Sequence, residues 1–328
     1  MQGKSFETFY DSQLFSVLQE LEDVRLYIRK KILSGLGIGA GISALMAIVY
    51  YFITTYEYDG FKVNALLFFI EIPVIFGGII GFVLSRKKHN SLKKRFKIDV
   101  IGVIISFIEE SLSYDPKGKI AAKDYKKSKL FTKDYDRYKG DDHVIGKLGA
   151  TQIEFSELHT QYETKDKDGK SSWNTIFKGI FFIADFNKNF KGETFIQPDL
   201  AERIFGFIGS SLQGLNKSKG DLVKMENVEF EKEFVVYSSD QVEARYILSP
   251  KLLQRIIDFK NKTGNKMHVS FINSKMYIGI SLRKNLFEVS YFKSLLKKEP
   301  IEEFYKYLDL CIGIAEELDL NTRIWTKT

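Results

Sequence analysis

The chain has 328 residues, 44% hydrophobic and 28% charged, enough for one large domain or two smaller ones with a sizeable core. That balance excludes a disordered chain, and 24 Gly with 5 Pro exclude collagen-like and low-complexity classes. A single cysteine, Cys311, excludes an intramolecular disulfide framework and a zinc site built from several thiolates.

The formal net charge of +7 has one source. Arg86, Lys87, Lys88, Lys93, Lys94, Arg95 and Lys97 are seven cations with no acid among them, and without them 42 cations face 42 anions. A nucleic-acid binder spreads its basic residues over a folded face. A single short run does not, so nucleic acid is not an expected partner.

In chain order, Tyr10, Leu14, Val17, Leu21, Val24 and Ile28 step by four and three, the seam of a short amphipathic helix. Ile32 to Ile53 then runs 22 residues without a charge, and Ala65 to Leu84 has one acid, Glu71. A bilayer core of roughly 30 Å needs about 20 helical residues, so two transmembrane helices are expected, about 32–53 and 65–84. The first is no cleaved signal peptide: the residues before it are too many, and no small-x-small site comes after Ile53. Arg25, Arg29, Lys30 and Lys31 precede the first span, the seven-cation run comes after the second, and the loop Thr54–Asn64 has only Lys62 with Glu57 and Asp59. Flanking cations stay inside, so both termini are expected in the cytosol. The basic run reads as a topology signal, with an anionic lipid surface over Arg86, Lys87, Lys88, Lys93, Lys94, Arg95 and Lys97 as the sharper alternative.

Gly35/Gly39, Gly37/Gly41 and Gly77/Gly81 have GxxxG spacing, which lets helix backbones approach closely. Packing of one span on the other is the simpler outcome, and contact between copies in a homo-oligomer is the alternative. The run from Gly35 to Ala40 grazes a dinucleotide fingerprint, but it is preceded by no strand and lies inside a span. Glu71 is an intramembrane carboxyl two residues before Pro73, a functional hypothesis by default.

After the spans, Leu92, Phe96, Val100, Val103 and Phe107 share a helix with Ile101, Ile104, Ile105, Ile108 and Leu112. It is expected to pack antiparallel on the first amphipathic helix as a stalk, so residues 1–113 form one region and 114–328 a cytosolic domain. In that domain a short helix or linker is expected near 119–130, a turn at Tyr138–Asp142 and a strand near 147–163. The Asp-Gly pair at 168–169 makes a hairpin to a buried strand from Trp173 to Phe186. A strand near 193–197 leads to a capping box of Asp199 and Glu202 before Ile204, Phe205 and Ile208. Strands are expected around 221–226 and 231–238, and then a helix from Ser249-Pro250 to Gly264. A hairpin of 267–273 with 276–282 and a last helix from Pro300 complete the chain. Grouped strands separated by single helices give an α+β class with a mainly antiparallel sheet.

Four blocks carry a resemblance: Gly146–Gly149 leading into Phe155–His159, Ile176–Phe186, Asp240–Pro250, and Asn321–Trp325. With two spans before them, the chain resembles a bacterial domain-of-unknown-function family, sometimes encoded beside LemA-type envelope proteins. The resemblance covers nearly the whole chain. It implies a multi-pass protein of the bacterial inner membrane, and it transfers no activity and no catalytic residue.

No catalytic, cofactor or metal signature emerges. The histidines, His89, His143, His159 and His268, lie far apart, and Asp141, Asp142 and His143 are consecutive, so their side chains diverge. Asp134-x-Asp136 lacks the rest of a calcium loop. A folded site from Asp142, His143 and His159 is the remaining metal option. Ser156, Glu157 and His159 do not converge, because 157 and 159 share one strand face and 156 takes the other. Asp185, Asp240, Glu243, Arg245 and Arg323 are a candidate ligand cluster, with caps and ion pairs as the plainer reading. The leading expectation is a membrane-anchored binding or scaffold protein that engages membrane lipids and a protein partner in the envelope. A membrane-bound hydrolase or lipid-modifying enzyme, and an oligomeric channel component with Glu71 in its pore, are the alternatives.

Overall fold

The computed structural model describes residues 6–56, 64–149, 151–185, 191–199, 219–283 and 285–317, with the side chains of 52–70, 263, 307, 310–312 and 314–317 left aside. The chain divides into two compact units: Met1–Val103 with Phe287–Tyr305, and Ile104–Leu286 with Lys306–Thr328.

The first unit is helical. α1 (Phe6–Phe9) passes through a π-helical turn, Tyr10–Leu14, into α2 (Phe15–Tyr56). α3 (Asn64–Leu84) returns, and α4 (Arg86–Arg95) continues through a second π-helical turn, Phe96–Ile101, into α5 (Gly102–Ile108). One stretch among the described residues, Phe6–Tyr51, is long and apolar enough to cross a membrane by length and composition. In the second expected span, Glu71–Leu84 is a shorter apolar helix, the side chains before it being outside the described set.

The N-terminal seam differs from its expectation. The buried positions are Tyr10, Leu14, Leu18, Leu21, Glu22, Arg25 and Ile28, while Val17 and Val24 are only half-buried. The π-helical turn at Tyr10–Leu14 explains the shift, since it adds a residue to the turn and rotates the helix beyond it. The same happens beyond α4: Leu92, Phe96, Val100, Ile101, Ile104 and Ile105 are buried, and Val103 and Phe107 turn partly outward.

The second unit is built on an antiparallel sheet of nine strands among the described residues, in spatial order β1-β2-β3-β4-β9-β8-β5-β7-β6. The strands are β1 (Ser113–Asp115), β2 (Arg137–Leu148), β3 (Thr151–Lys165), β4 (Ser171–Asp185), β5 (Thr194–Pro198), β6 (Asp221–Val223), β7 (Phe234–Ser238), β8 (Met267–Ile272) and β9 (Lys275–Ser281). The helices are α6 (Ala122–Lys127), α7 (Val228–Glu233), α8 (Gln241–Ile247) and α9 (Pro250–Thr263), and α10 (Lys298–Glu317) closes the described chain. This is the α+β class expected from the grouped strands.

Alternation places Phe177, Phe181 and Ile183 of β4 on one face, where they pack with Leu158, Phe195, Ile272 and Tyr277, and with Ile120, Tyr125 and Leu130 of the segment that covers them. Each local signal has its geometric counterpart. Gly169 takes φ +76° in the β3–β4 turn, Ser249 accepts from Leu252 N at the start of α9, and Gly264 ends it at φ +63°.

Several expectations are corrected. Tyr138–Asp142 is not a turn but part of β2, kinked by a bulge where the register with β3 slips between Asp141 and Val144 and Asp142 takes φ +55°. Residues that resemble a turn locally are held in a ladder by long-range pairing. α7 occupies the first residues of the strand expected at 231–238, because Asn227 caps it by accepting from Phe230 N. The helix near 119–130 is limited to Ala122–Lys127. Glu202 of the expected capping box, the helix after it, the loop around Glu57, Asp59 and Lys62, and the Asn321–Trp325 block lie outside the described residues, and Asp199 N donates to Glu233 O at 2.9 Å.

Candidate functional site

The site begins with the seam between α2 and α3. A Cβ added to Gly35 would lie 2.1 Å from Gly77 O, one on Gly39 2.2 Å from Pro73 O, and one on Gly81 2.4 Å from Lys31 O. The paired positions run in a constant antiparallel register, so this close approach extends over two turns or more. Backbones this near leave no room for a side chain on the facing stripe. Gly37 and Gly41 are elsewhere: nothing lies within 4 Å of a Cβ at either. Two residues along a helix is about 200° of rotation, so the two GxxxG pairs of α2 face opposite ways.

Around this seam the outer faces are apolar. Leu33, Ile38, Ile42, Leu45, Ile48 and Val49 of α2 are exposed, as are Ile75, Phe76, Ile79, Ile80 and Val83 of α3. Glu71 is exposed on α3, two residues before the helix-internal Pro73.

Next to the apolar belt lie the cations, and they fall into two groups. Arg29, Lys30 and Lys31 on α2, and Arg86, Lys87 and Lys88 on α4, are exposed, with no ion pair among the described residues. Lys31 lies over the Tyr27 ring at 5.7 Å. Further on, Lys93 pairs with Glu288 at 2.8 Å, and Lys97 reaches the same carboxylate at 4.0 Å. Arg95 bridges Glu20 at 2.8 Å and Asp99 at 3.0 Å, and both contacts raise its pKa. Lys94 is exposed.

A buried network ties the segment 287–297 to α2. Glu22 accepts from Arg25 Nε at 2.8 Å and Arg25 Nη2 at 2.7 Å, from Ser294 Oγ at 2.9 Å and from Leu295 N at 2.9 Å. Arg25 Nη1 donates to Tyr291 O at 2.5 Å. Burial pushes the Glu22 carboxyl up, but the hydrogen bonds from Arg25, Leu295 and Ser294 outweigh it and hold the pKa below the usual value. Tyr291 also hydrogen-bonds His89, whose pKa is lowered by burial and by the Lys93 charge. The helical unit therefore contains a third segment of chain, Phe287–Tyr305, beside Met1–Val103.

The sequence held no pattern for that third partner. One signal was legible, an acid and an arginine three apart beside the expected apolar seam.

In the second unit, one ligand atom each from Asp141, Asp142 and Glu157 lie within 4.8 Å of one another. Tyr114 OH donates to Asp142 Oδ1 at 2.5 Å, and Leu286 N to Glu157 Oε2 at 2.8 Å. Three oxygens at that spacing have the chemistry to hold a hard divalent cation. The bulge of β2 brings Asp142 to Glu157 and not to His159. His143 instead meets Glu154 at 2.8 Å, and His159 meets Thr175 at 3.1 Å. Ser156 points to the opposite face from Glu157, accepting from Ile120 N at 3.1 Å.

Asp240 and Glu243 serve backbone amides. Asp240 Oδ1 caps α8 by accepting from Val242 N at 2.9 Å and Glu243 N at 3.0 Å. Glu243 accepts from Lys191 N at 2.8 Å and Gly192 N at 2.7 Å. Arg245 Nη1 reaches Gln241 O at 3.4 Å, and Asp185 ends β4 opposite Lys275. Arg323 is outside the described residues.

The burial of two bases escaped the sequence reading. Lys219 Nζ donates to Leu130 O at 3.1 Å and lies 5.3 Å from the Phe195 ring, and burial lowers its pKa to about 8. His268 packs edge-on against Phe131 with Nδ1 buried and without a hydrogen-bond partner, and burial with the Lys219 charge takes its pKa to about 4.

No curated protein matches the chain. Among solved structures it is similar to the crystal structure of the mycobacterial trehalose monomycolate transport factor A, TtfA, at 8% identity and a TM-score of 0.32, over 64% of this chain and 93% of that one. So slight a likeness carries no argument about fold or role. Residues 175–320 match the family described as a protein of unknown function, DUF3137.

Proposed function

We propose that the chain is a membrane-anchored binding protein of the bacterial inner membrane. In this reading α2 and α3 cross the bilayer as a hairpin, both termini are cytosolic, and the antiparallel sheet unit meets a protein partner of the envelope on the cytosolic side. One observation carries the anchor: a helix pair closed on itself by glycine, with apolar side chains outward on both helices. Water would penalise so much exposed apolar surface, and a lipid bilayer would not.

The test uses single cysteines in a Cys311→Ser background. Lys62→Cys should react with an impermeant maleimide in intact spheroplasts, and Lys167→Cys only after lysis. The protein should resist extraction at alkaline pH. Extraction into the soluble fraction would overturn the anchor, and the reverse labelling pattern would overturn the cytosolic placement of the termini.

The partner rests on the anchor and on the backbone hydrogen bonds of Asp240, which caps α8, and of Glu243, which holds the amides of Lys191 and Gly192; both residues are thereby committed to the fold. Crosslinking in native membranes should recover a reproducible partner that survives Glu71→Gln. Recovery of self-crosslinked oligomers alone, altered by that substitution, would favour the channel alternative.

A further inference from the structure

We propose that Arg29, Lys30, Lys31, Arg86, Lys87 and Lys88 together form a binding site for the headgroups of anionic phospholipids, and that Lys93, Arg95 and Lys97 have no part in it. The inference rests on the membrane-anchor reading above and specifies its boundary.

The first argument is position. The contact of Gly81 with Lys31 O fixes where the two helices stand side by side. From that level Arg86 to Lys88 begin five residues on and end seven on, and Arg29 lies two residues away on α2. At about 1.5 Å per residue, all six cations lie within about 10 Å along the helix pair. They come from both helices, so neither the run on α4 nor the triplet on α2 is the complete site.

The second argument is charge. α2 has no acid from Val24 to Tyr56, and no acid occurs from Ile72 to Ile98. The six cations make no ion pair with a described carboxylate, whereas Lys93, Arg95 and Lys97 further along do. Lys93, Lys97 and Arg95 are committed to Glu288, Glu20 and Asp99. Within the basic run, Lys93, Arg95 and Lys97 are thus committed to carboxylates of the helical unit, and Arg86, Lys87, Lys88 and the more distant Lys94 are not.

The third argument is what adjoins the free half. Leu33 on α2 and Val83 and Leu84 on α3 are exposed directly beside it. A ligand that meets both surfaces at once needs an anionic group and an apolar body in contact with it. A phospholipid with a net negative headgroup has that chemistry, and an acidic protein surface or a nucleic acid has only the first part.

The experiment uses the full chain, reconstituted in vesicles of phosphatidylcholine with phosphatidylglycerol, then extracted in mild detergent. Retained lipids are quantified by mass spectrometry against the bulk ratio. The wild type should retain phosphatidylglycerol in excess of bulk, by about fivefold for each cation that engages a headgroup. Combining R29Q, K30Q and K31Q with R86Q, K87Q and K88Q should return the ratio to bulk, and either triplet alone should give an intermediate value. The K93Q/R95Q/K97Q variant should keep the excess while its thermal stability falls. An unchanged excess in both triplets, or an equal loss in K93Q/R95Q/K97Q, would overturn the site. Retention of an acidic protein or nucleic acid in place of lipid would overturn it too. A protein that never enters the vesicles would instead overturn the anchor, and alkaline extraction read in parallel separates these outcomes.

Discussion

Gly35 and Gly77 meet backbone to backbone: a Cβ on either would lie 2.1 Å from the carbonyl oxygen of the other. No side chain, alanine included, fits that contact without moving a helix. Gly35→Leu or Gly77→Leu should therefore separate α2 from α3, while Gly37→Leu and Gly41→Leu should leave the pair intact. Protease resistance and the thermal transition of the detergent-purified protein would show the difference. An equal loss at Gly37 and Gly35 would refute the register.

Glu22 and Arg25 make a buried, hydrogen-bonded pair. Breaking such a pair leaves an uncompensated charge, and Glu22→Gln should cost about 3–5 kcal/mol. The pH dependence comes from the lowered Glu22 pKa. Between the lowered native value and the ordinary carboxylate value, the unfolded state binds more protons, so stability rises with pH. The contribution of Glu22 is complete above the ordinary value and is lost as the pH falls through the native one. The acid limb of a melting-temperature profile should therefore flatten in Glu22→Gln.

Asp240→Ala removes two hydrogen bonds to the first turn of α8. The expected cost is about 1 kcal/mol, typical of an N-cap. A chemical denaturation midpoint would measure it. Equal stability with loss of partner binding would return Asp240 to the candidate ligand cluster.

Lys219 is buried, with its pKa lowered to about 8. The native state releases the proton first, so stability should rise with pH from about 8 to the ordinary lysine value. Lys219→Met should abolish that rise and gain stability below pH 8, where the wild type buries a charge. A melting series across that alkaline range decides it. A rise that persists in the variant would assign it to another group.

His268 has its pKa lowered to about 4 with a buried, unpartnered Nδ1. Its linkage has the same sign at lower pH. The unfolded chain protonates first, so stability falls as the pH drops below about 6.5, the ordinary value, toward 4. His268→Phe should weaken that acid limb, which calorimetry at several pH values would detect.

Much of the architecture is written in local sequence. The uncharged length from Ile32 to Ile53, the Asp-Gly turn before Lys170, the Ser249-Pro250 start and the Gly264 end of α9 are each fixed by groups within a few residues. Hydropathy, backbone freedom and capping act at that range, so one strand of sequence is enough to read them. The grouping of strands likewise gave the antiparallel class without any contact being known.

Tertiary structure decided the rest. Gly35 and Gly37 have the same spacing to their partners, Gly39 and Gly41, and only packing against α3 selects the face that is used. The π-helical turns moved the buried stripe from Val17 and Val24 to Leu18 and Arg25, a rotation that a fixed period cannot anticipate. Glu22 and Arg25 became a core pair because Tyr291, Ser294 and Leu295, more than 260 residues away, supply the remaining hydrogen bonds. The seven-cation run likewise divided according to where Glu288, Glu20 and Asp99 fall in space. A charge is free or committed only by virtue of its neighbours, and those neighbours are set by the fold.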